Sequence, residues 1–390
     1  MATLNAKEVK SVLAISLIAS LRLLGVFLVL PIFSVYAMKY EGATMPLSGL
    51  AFGIYPLFQG FVQFPFGWAS DRFGRRVVFI AGLAIFTLGS LYAALASDIY
   101  HLIAARALQG CGAVGAVAMA AVGDLTRESV RTQAFTLLGV GIGFAFVIGL
   151  IGGPILAARF GFSSLFYVLA ALGAIAILIT LFYFPATETN SSRETRTSFY
   201  KFMLQLDLRT LFTAALVSSL VLNLFFFLYP ISWTHLGVER ASLWKIYLGA
   251  LLPSALFVFP YIRRSERKGN LGSVPLFGYL SMLLGFVIYL FGSQWEWSLY
   301  ATAALFFLGY TVYQSFVPAF ITQRTPKENR GAAMGFYNLS AFFGSSIGGI
   351  VAGSLYNFGS RLPVIAGLVV LVFWLFTGLP RHVPSELTGE

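Results

Sequence analysis

Apolar runs of about twenty residues, each closed by a polar or turn-rich break, recur along almost the whole chain. About twenty is the length a helix needs to cross roughly 30 Å of hydrocarbon. Twelve such runs can be counted, at 11–37, 47–69, 77–97, 100–122, 132–158, 163–184, 209–235, 243–263, 273–292, 297–320, 331–357 and 362–380. The first, Ser11 to Ala37, is too long for the apolar region of a signal peptide and reads as a span. The longest polar stretch, ATETNSSRETRTSFYKFMLQLD at 186–207, divides the runs six and six. Its Ser, Thr and charged residues suit a flexible connector, and FYKFMLQL within it suits a short amphipathic helix on the membrane surface. The pattern predicts an all-α membrane protein with twelve transmembrane helices. It comprises an N-terminal six-helix bundle over 1–185, a cytoplasmic linker over 186–208 and a C-terminal six-helix bundle over 209–390.

Composition sharpens this picture. The 390 residues are 58% hydrophobic and 11% charged, with mean hydropathy +0.82, whereas a soluble domain carries about a quarter charged residues. A net charge of +11 suggests nucleic acid in a soluble protein, but here it is a topology signal. With both termini cytoplasmic, nineteen of the 26 basic residues fall in inside segments and five outside, while Arg22 and Arg106 lie within spans. That bias fixes the expected orientation and accounts for the basic charge without nucleic acid. A single cysteine, Cys111, excludes an intramolecular disulfide framework.

The halves repeat. At an offset of 199 residues FLVLPI (27–32) falls on FFLYPI (226–231), and TRESVRTQA (126–134) falls on TPKENRGAA (325–333), pairing Arg131 with Arg330. Beyond these, Ala145, Gly149, Gly153 and Ala157 fall on Gly344, Gly348, Ala352 and Tyr356. Small residues at every fourth position are close-packing spacing for membrane helices, and they single out Gly149, Gly153, Pro154, Gly344 and Gly348. At an offset of 195, SDRFGR (70–75) has a weaker echo in SERKGN (265–270).

GWASDRFGRR (67–76) concentrates an acid and three arginines among glycines between the second and third runs. It resembles the signature loop of the major facilitator superfamily. RALQGCGA (106–113) resembles that family's Arg-x-x-Gln-Gly motif of helix four. GLIGGPILAA (149–158) resembles its antiporter motif of helix five, with Val140 in place of the first glycine and Ala157-Ala158 as the closing pair. Together with SLRLLGVFLVLPIF and GDLTRESVR, these features resemble the drug:proton antiporter branch and, within it, YajR-type efflux proteins. The resemblance implies two parallel six-helix repeats with substrate bound near the membrane midplane.

It also implies a conformational latch. Asp71 would cap the cytoplasmic end of helix eleven, which begins near Arg330, since an anion at a helix N-terminus gains roughly 0.3–1 kcal/mol. Arg75 would pair with Asp124, with Gly67 and Gly74 allowing close approach and a tight turn. Arg72, with Arg76, would hold anionic headgroups, and Arg131 would complete the cluster. The plainer reading is a loop that merely anchors topology through its positive charge.

Charges inside the membrane are expensive and usually face a partner or a cavity. Arg22 either attracts an anionic substrate group or is structural, bonded to backbone carbonyls, Gln59 or Gln63. Arg106 is, by resemblance, the helix-four arginine associated with coupling; the other half has Leu305 at its equivalent position. None of the fifteen acidic residues falls in the central part of a span, although many relatives place a carboxylate in helix one or four. His235, near the outer end of span seven, remains as a candidate proton carrier, against the alternative that it is simply interfacial. Cavity candidates are Tyr55, Phe58, Gln59, Asn223, Phe226, Tyr229, Trp233, Tyr310, Tyr313, Gln314, Tyr337 and Asn338; aromatics with a few amides suit amphipathic substrates.

An enzyme would need a reactive constellation, yet His101, His235 and His382 are scattered, and no metal-ligand cluster, nucleotide loop or serine elbow is present. No cofactor and no metal are expected. The reading is a monomeric secondary transporter in the plasma (inner) membrane, in contact with lipid, exporting amphipathic small molecules in exchange for protons. The alternative is an exporter or flippase of an anionic metabolite or lipid, without an intramembrane carboxylate as proton carrier.

Overall fold

The protein is described by a computed structural model over residues 4–184, 206–267, 273–325 and 330–377. Contacts divide the chain into two compact units, Met1–Glu194 and Thr195–Glu390. In the first unit run α1 (Ala6–Val29), α2 (Phe33–Ala37), α3 (Met45–Phe73), α4 (Arg75–Leu95), α5 (Ile99–Cys111), α6 (Gly115–Leu125), α7 (Arg131–Phe160) and α8 (Phe162–Tyr183). In the second run α9 (Leu206–His235), α10 (Leu243–Arg267), α11 (Ser273–Gly292), α12 (Glu296–Arg324), α13 (Arg330–Tyr356) and α14 (Leu362–Thr377). Among the described residues eleven spans are long and apolar enough to cross a membrane, and Leu362–Phe376 is a shorter apolar helix. No strand forms there; a lone β-bridge joins Glu41 to Asp98.

Local chemistry sets the ends. Asn5 and Glu8 form a reciprocal capping box at the start of α1, each side chain accepting from the other's backbone N–H at 2.8 Å. Thr44 caps α3 ahead of Pro46, and the Asp98 carboxylate caps α5 by accepting from the N–H groups of Tyr100 and His101 at 2.9 Å each.

Two expected spans are each two helices. The first breaks between Val29 and Phe33, where Pro31 has no N–H to continue the ladder and Ile32 leaves helical geometry at φ −136°. The fourth breaks over Gly112, Ala113 and Val114. The expected loop at 67–76 is also corrected: α3 continues through Phe73 and α4 begins at Arg75, leaving Gly74 alone between them. Gly74 turns the chain at φ 89°, a conformation that favours glycine.

Each unit repeats one packing scheme internally. In the first, α7 lies on α1, α8 on α4, and α5 on both α3 and α4. In the second, α13 lies on α9, α14 on α11, and α12 on both α10 and α11. The small-residue spacing explains the first pairing of each set. A Cβ on Gly149 or Gly153 would enter the Phe27–Leu28 backbone of α1, and one on Gly344 or Gly348 would strike the Leu216 or Leu220 carbonyl of α9. Pro154 lies within α7. Linker residues 186–205, which include all of FYKFMLQL but Leu206, and the Lys268–Asn270 end of the SERKGN echo lie outside the described residues, and the expected linker over 186–208 ends early because α9 begins at Leu206.

Candidate functional site

Charge at the Gly74 end of the first unit is organised around Arg75, the first residue of α4. Its Nε donates to Asp124 Oδ2 at 3.0 Å, and its Nη1 lies 2.5 Å from both Asp71 Oδ1 and Ser70 Oγ. Ser70 in turn donates to the Gly67 carbonyl at 2.8 Å. A cation at the positive end of a helix is unfavourable alone, so the two carboxylates compensate it as well as pairing with it. Arg75 is buried, with its side chain 9% exposed, whereas Asp124 and Asp71 are 35% and 63% exposed. Of the expected partners, Arg75 and Asp124 therefore meet directly, and Asp71 joins them.

The neighbouring positions are less uniform. Arg72 stacks on Trp68 and Phe73, its Cζ 5.5 and 5.6 Å from the ring centres. Arg76 donates to the Leu181 carbonyl of α8. Arg131 donates to the Gly123 carbonyl at 3.0 Å, tying α7 to α6. Among the described residues a Cβ on Gly67 would meet nothing within 4 Å. The Arg330 side chain lies outside the described residues.

One clasp is not apparent from the sequence. Glu8 accepts from the Arg127 backbone N–H at 3.0 Å and from its Nε and Nη2 at 2.8 Å each, which fastens α1 to the turn between α6 and α7. This bidentate pairing holds the Arg127 guanidinium further above its ordinary proton affinity. The capping-box spacing of Asn5 and Glu8 is the available signal.

A second constellation lies deeper in the same unit. Arg22, 2% exposed, donates from Nη2 to the Tyr55 hydroxyl at 3.1 Å, and its Cζ stands 5.6 Å from the centre of the Phe86 ring. Its partner is thus Tyr55 rather than the expected Gln59 or Gln63. Arg106, 4% exposed, lies across the face of the same tyrosine, Cζ 4.4 Å from the ring centre. It donates from Nη1 to Gln109 Oε1 at 2.9 Å; Gln109 donates to Ser90 Oγ at 2.8 Å, and Ser90 donates to the Phe86 carbonyl at 2.7 Å. The circuit closes on itself through Tyr55, Arg22, Phe86, Ser90, Gln109 and Arg106.

Glycines allow these contacts. A Cβ on Gly89 of α4 would stand 2.6 Å from the Gln109 nitrogen, and one on Gly110 of α5 would collide with the Tyr55 carbonyl and crowd Phe58. Gln109 is visible within RALQG, but nothing in the sequence links it to Ser90 or Tyr55.

Cavity candidates divide in the second unit. Phe226, Tyr229, Trp233 and Tyr313 are buried. Phe226 and Tyr229 pack with Phe225 and Tyr247, Tyr229 donates to the Leu299 carbonyl at 3.0 Å, and Tyr313 donates to the Pro275 carbonyl at 3.0 Å. Long apolar faces account for this burial, because aromatics at helical spacing pack against neighbouring helices. Asn223 is buried and donates to Ser219 of its own helix at 3.0 Å. Tyr55 and Gln59 are likewise buried, and Phe58 is half-buried.

Gln314 is the exception. Exposed on α12, it donates to the Tyr310 hydroxyl one turn away and accepts from Tyr337 of α13 at 2.9 Å, with Tyr310, Tyr337 and Asn338 half-buried. His235 is exposed at the last residue of α9. No group of three or more His, Cys, Asp or Glu side chains converges among the described residues.

With this geometry in place, comparison with known proteins is informative. The chain is 34% identical over 376 residues to the "Inner membrane transport protein YajR" of Escherichia coli (strain K12), covering 95% of this chain and 83% of that one. It is 32% identical over 177 residues to the "Tetracycline resistance protein, class B" of Escherichia coli, covering 44% and 43%. The fold matches a crystal structure of the nucleoside transporter NupG with TM-score 0.72 at 14% identity, covering 94% of this chain and 98% of that one. The profile of the Major Facilitator Superfamily matches residues 15–251 and 211–390. The chain is a multi-pass integral membrane protein, not an enzyme, and it belongs to the Major Facilitator Superfamily of membrane transporters.

Proposed function

We propose that the protein is a monomeric secondary active exporter of amphipathic small molecules, working by alternating access and exchanging substrate for protons across the inner membrane, with both termini cytoplasmic. The observation that carries the alternating-access reading is the Arg75 cluster. A buried guanidinium is shared by carboxylates from α3 and α6, both partly open to solvent, at a turn of one glycine. A charge-assisted contact of this kind holds one arrangement of helix ends and is released when they part, which suits a latch better than a topological anchor. The bias of 26 basic residues toward alternate loops supports the orientation. The tetracycline resistance relative supports efflux of amphipathic compounds, and the E. coli relative's name supports the inner membrane. The polar cluster of Tyr310, Gln314 and Tyr337, exposed at Gln314, suits substrate contact.

The second reading is export of an anionic metabolite or lipid with no proton exchanged. It is favoured by Arg22 and Arg106, which are buried within spans, while every acidic residue of the sequence falls near a helix end, between helices, or in the linker or tail. Uptake of labelled amphipathic compounds into inverted membrane vesicles tests the transport claim. Accumulation that collapses when the proton gradient is dissipated supports exchange. Accumulation indifferent to it supports the second reading, and no accumulation of any tested compound overturns both.

A further inference from the structure

Two cations share one buried circuit in the first unit, and no carboxylate takes part in it. Arg22 and Arg106 both touch Tyr55, one at its hydroxyl and one at its ring face, so the tyrosine fixes their separation. Their other partners are neutral: the Phe86 ring for Arg22, Gln109 and the Phe33 ring for Arg106. Glu8 is the one buried acid among the described residues, and it is already committed to Arg127 at the start of α1.

Burying one guanidinium without an anion is costly, and burying two beside each other adds their repulsion. Rings and amide oxygens offset part of that cost without cancelling charge. The circuit also leaves polar atoms unused. Nε of Arg22, Nε of Arg106 and Oε1 of Gln63 are fully enclosed with no hydrogen-bond partner. Unused N–H groups on both cations are what a carboxylate or phosphate oxygen recognises.

Resting on the transporter reading, we propose that Arg22, Tyr55 and Arg106 form the binding locus for the anionic headgroup of the transported molecule, and that the substrate class is the amphipathic organic anion. The headgroup accepts from the free N–H groups of both arginines, and the Tyr55 hydroxyl, released from Arg22, donates to it. Span four breaks immediately beyond this locus, at Gly112 to Val114, so α5 and α6 are separate segments and the wall around Gln109 is not one continuous helix. Discontinuous helices beside charged sites are a recurring arrangement in secondary transporters.

The test compares molecules that differ in charge and little else. Full-length protein in detergent is titrated with 2-naphthoate and dodecanoate, and with their neutral amides, following intrinsic tryptophan fluorescence. The same four compounds are then assayed for flux in proteoliposomes. Wild type is expected to bind at least one acid tenfold or more tighter than its amide. Arg22→Gln and Arg106→Gln should each reduce that preference to threefold or less, by weakening acid binding more than amide binding. Arg22→Lys should keep part of the preference, which separates loss of charge from loss of fold. Tyr55→Phe should weaken acid binding less than either arginine change.

Equal affinity of acid and amide in wild type, or a preference that survives both arginine substitutions, overturns the proposal, as does millimolar or weaker binding of both acids. The outcomes also separate from those of the transporter reading. Flux of the amides without a preference for acids removes the anion site and leaves the exporter standing. Acid-selective binding without any flux keeps the site and removes the exporter.

Discussion

Asp124→Asn removes one charge from the Arg75 cluster and little volume. A hydrogen bond to a charged group contributes about 1.5–3 kcal/mol. Asp124 is 35% exposed, so solvent screening brings its share down to about 1 kcal/mol. Asp71, 63% exposed and facing Arg75 across the Gly74 turn, is a solvent-screened pair at about 0.5 kcal/mol or less. Thermal unfolding in detergent, followed by tryptophan fluorescence, checks the difference. A unit of this size moves by about 2–4 °C per kcal/mol, so Asp124→Asn should lower Tm by that much and Asp71→Asn by less than about 2 °C.

The decisive comparison is a double-mutant cycle with Arg75→Gln. In that background Asp124→Asn should cost almost nothing, because the cation it served is gone. Full additivity, to within about 0.5 kcal/mol, would refute the pairing as an energetic unit. Transport should follow a different order. Asp71→Asn should impair flux far beyond its effect on stability if the cluster works as a latch, and wild-type flux in that variant would refute the latch.

Other substitutions probe separate parts of the account. Gly74→Ala places a side chain at φ 89° and should cost about 1–2 kcal/mol, whereas Gly67→Ala, with open space around it in the same motif, should leave unfolding unchanged or slightly higher; equal Tm losses would refute the distinction. Gly153→Ala and Gly344→Ala drive a methyl into the Leu28 and Leu216 carbonyls and should each lose about 1–3 kcal/mol, measured by the same unfolding assay. Asp98 holds its proton less tightly than an ordinary carboxylate because the His101 backbone N–H bonds to it. Its contribution is complete above about pH 4 and is lost as pH falls through the lowered value, so the Tm gap between wild type and Asp98→Ala should close on acidification. Tyr337→Phe removes the hydrogen bond to Gln314 and should raise the substrate concentration for half-maximal flux without lowering Tm.

Most of the helical layout is legible because hydrocarbon thickness dictates run length, and the spans at 243, 273 and 362 begin at or within one residue of their helices. The split of spans one and four is not legible: hydropathy stays high through Leu30–Ile32 and Gly112–Val114, and only Pro31 and Gly112 mark the breaks. Arg75 and Asp124 can be paired only through the family resemblance, since 49 residues separate them. The Arg22–Tyr55 contact cannot, because 33 residues, with the short α2 among them, separate the partners and Gly110 decides how closely α5 meets α3. The aromatic cavity list is less legible: most of its rings are buried, and periodicity alone does not distinguish a face turned to core from one turned to a cavity.

The most direct measurement uses purified protein in proteoliposomes carrying a pH gradient, with lumenal pH recorded as lipophilic cations, neutral drugs and organic anions are added in turn. Substrate-dependent proton movement, abolished or strongly reduced by Asp71→Asn, is the expected result for a proton-exchanging exporter with a latch at Arg75. Movement of labelled substrate with no change in lumenal pH would contradict proton exchange, and absence of both signals for every compound would contradict the transport assignment itself.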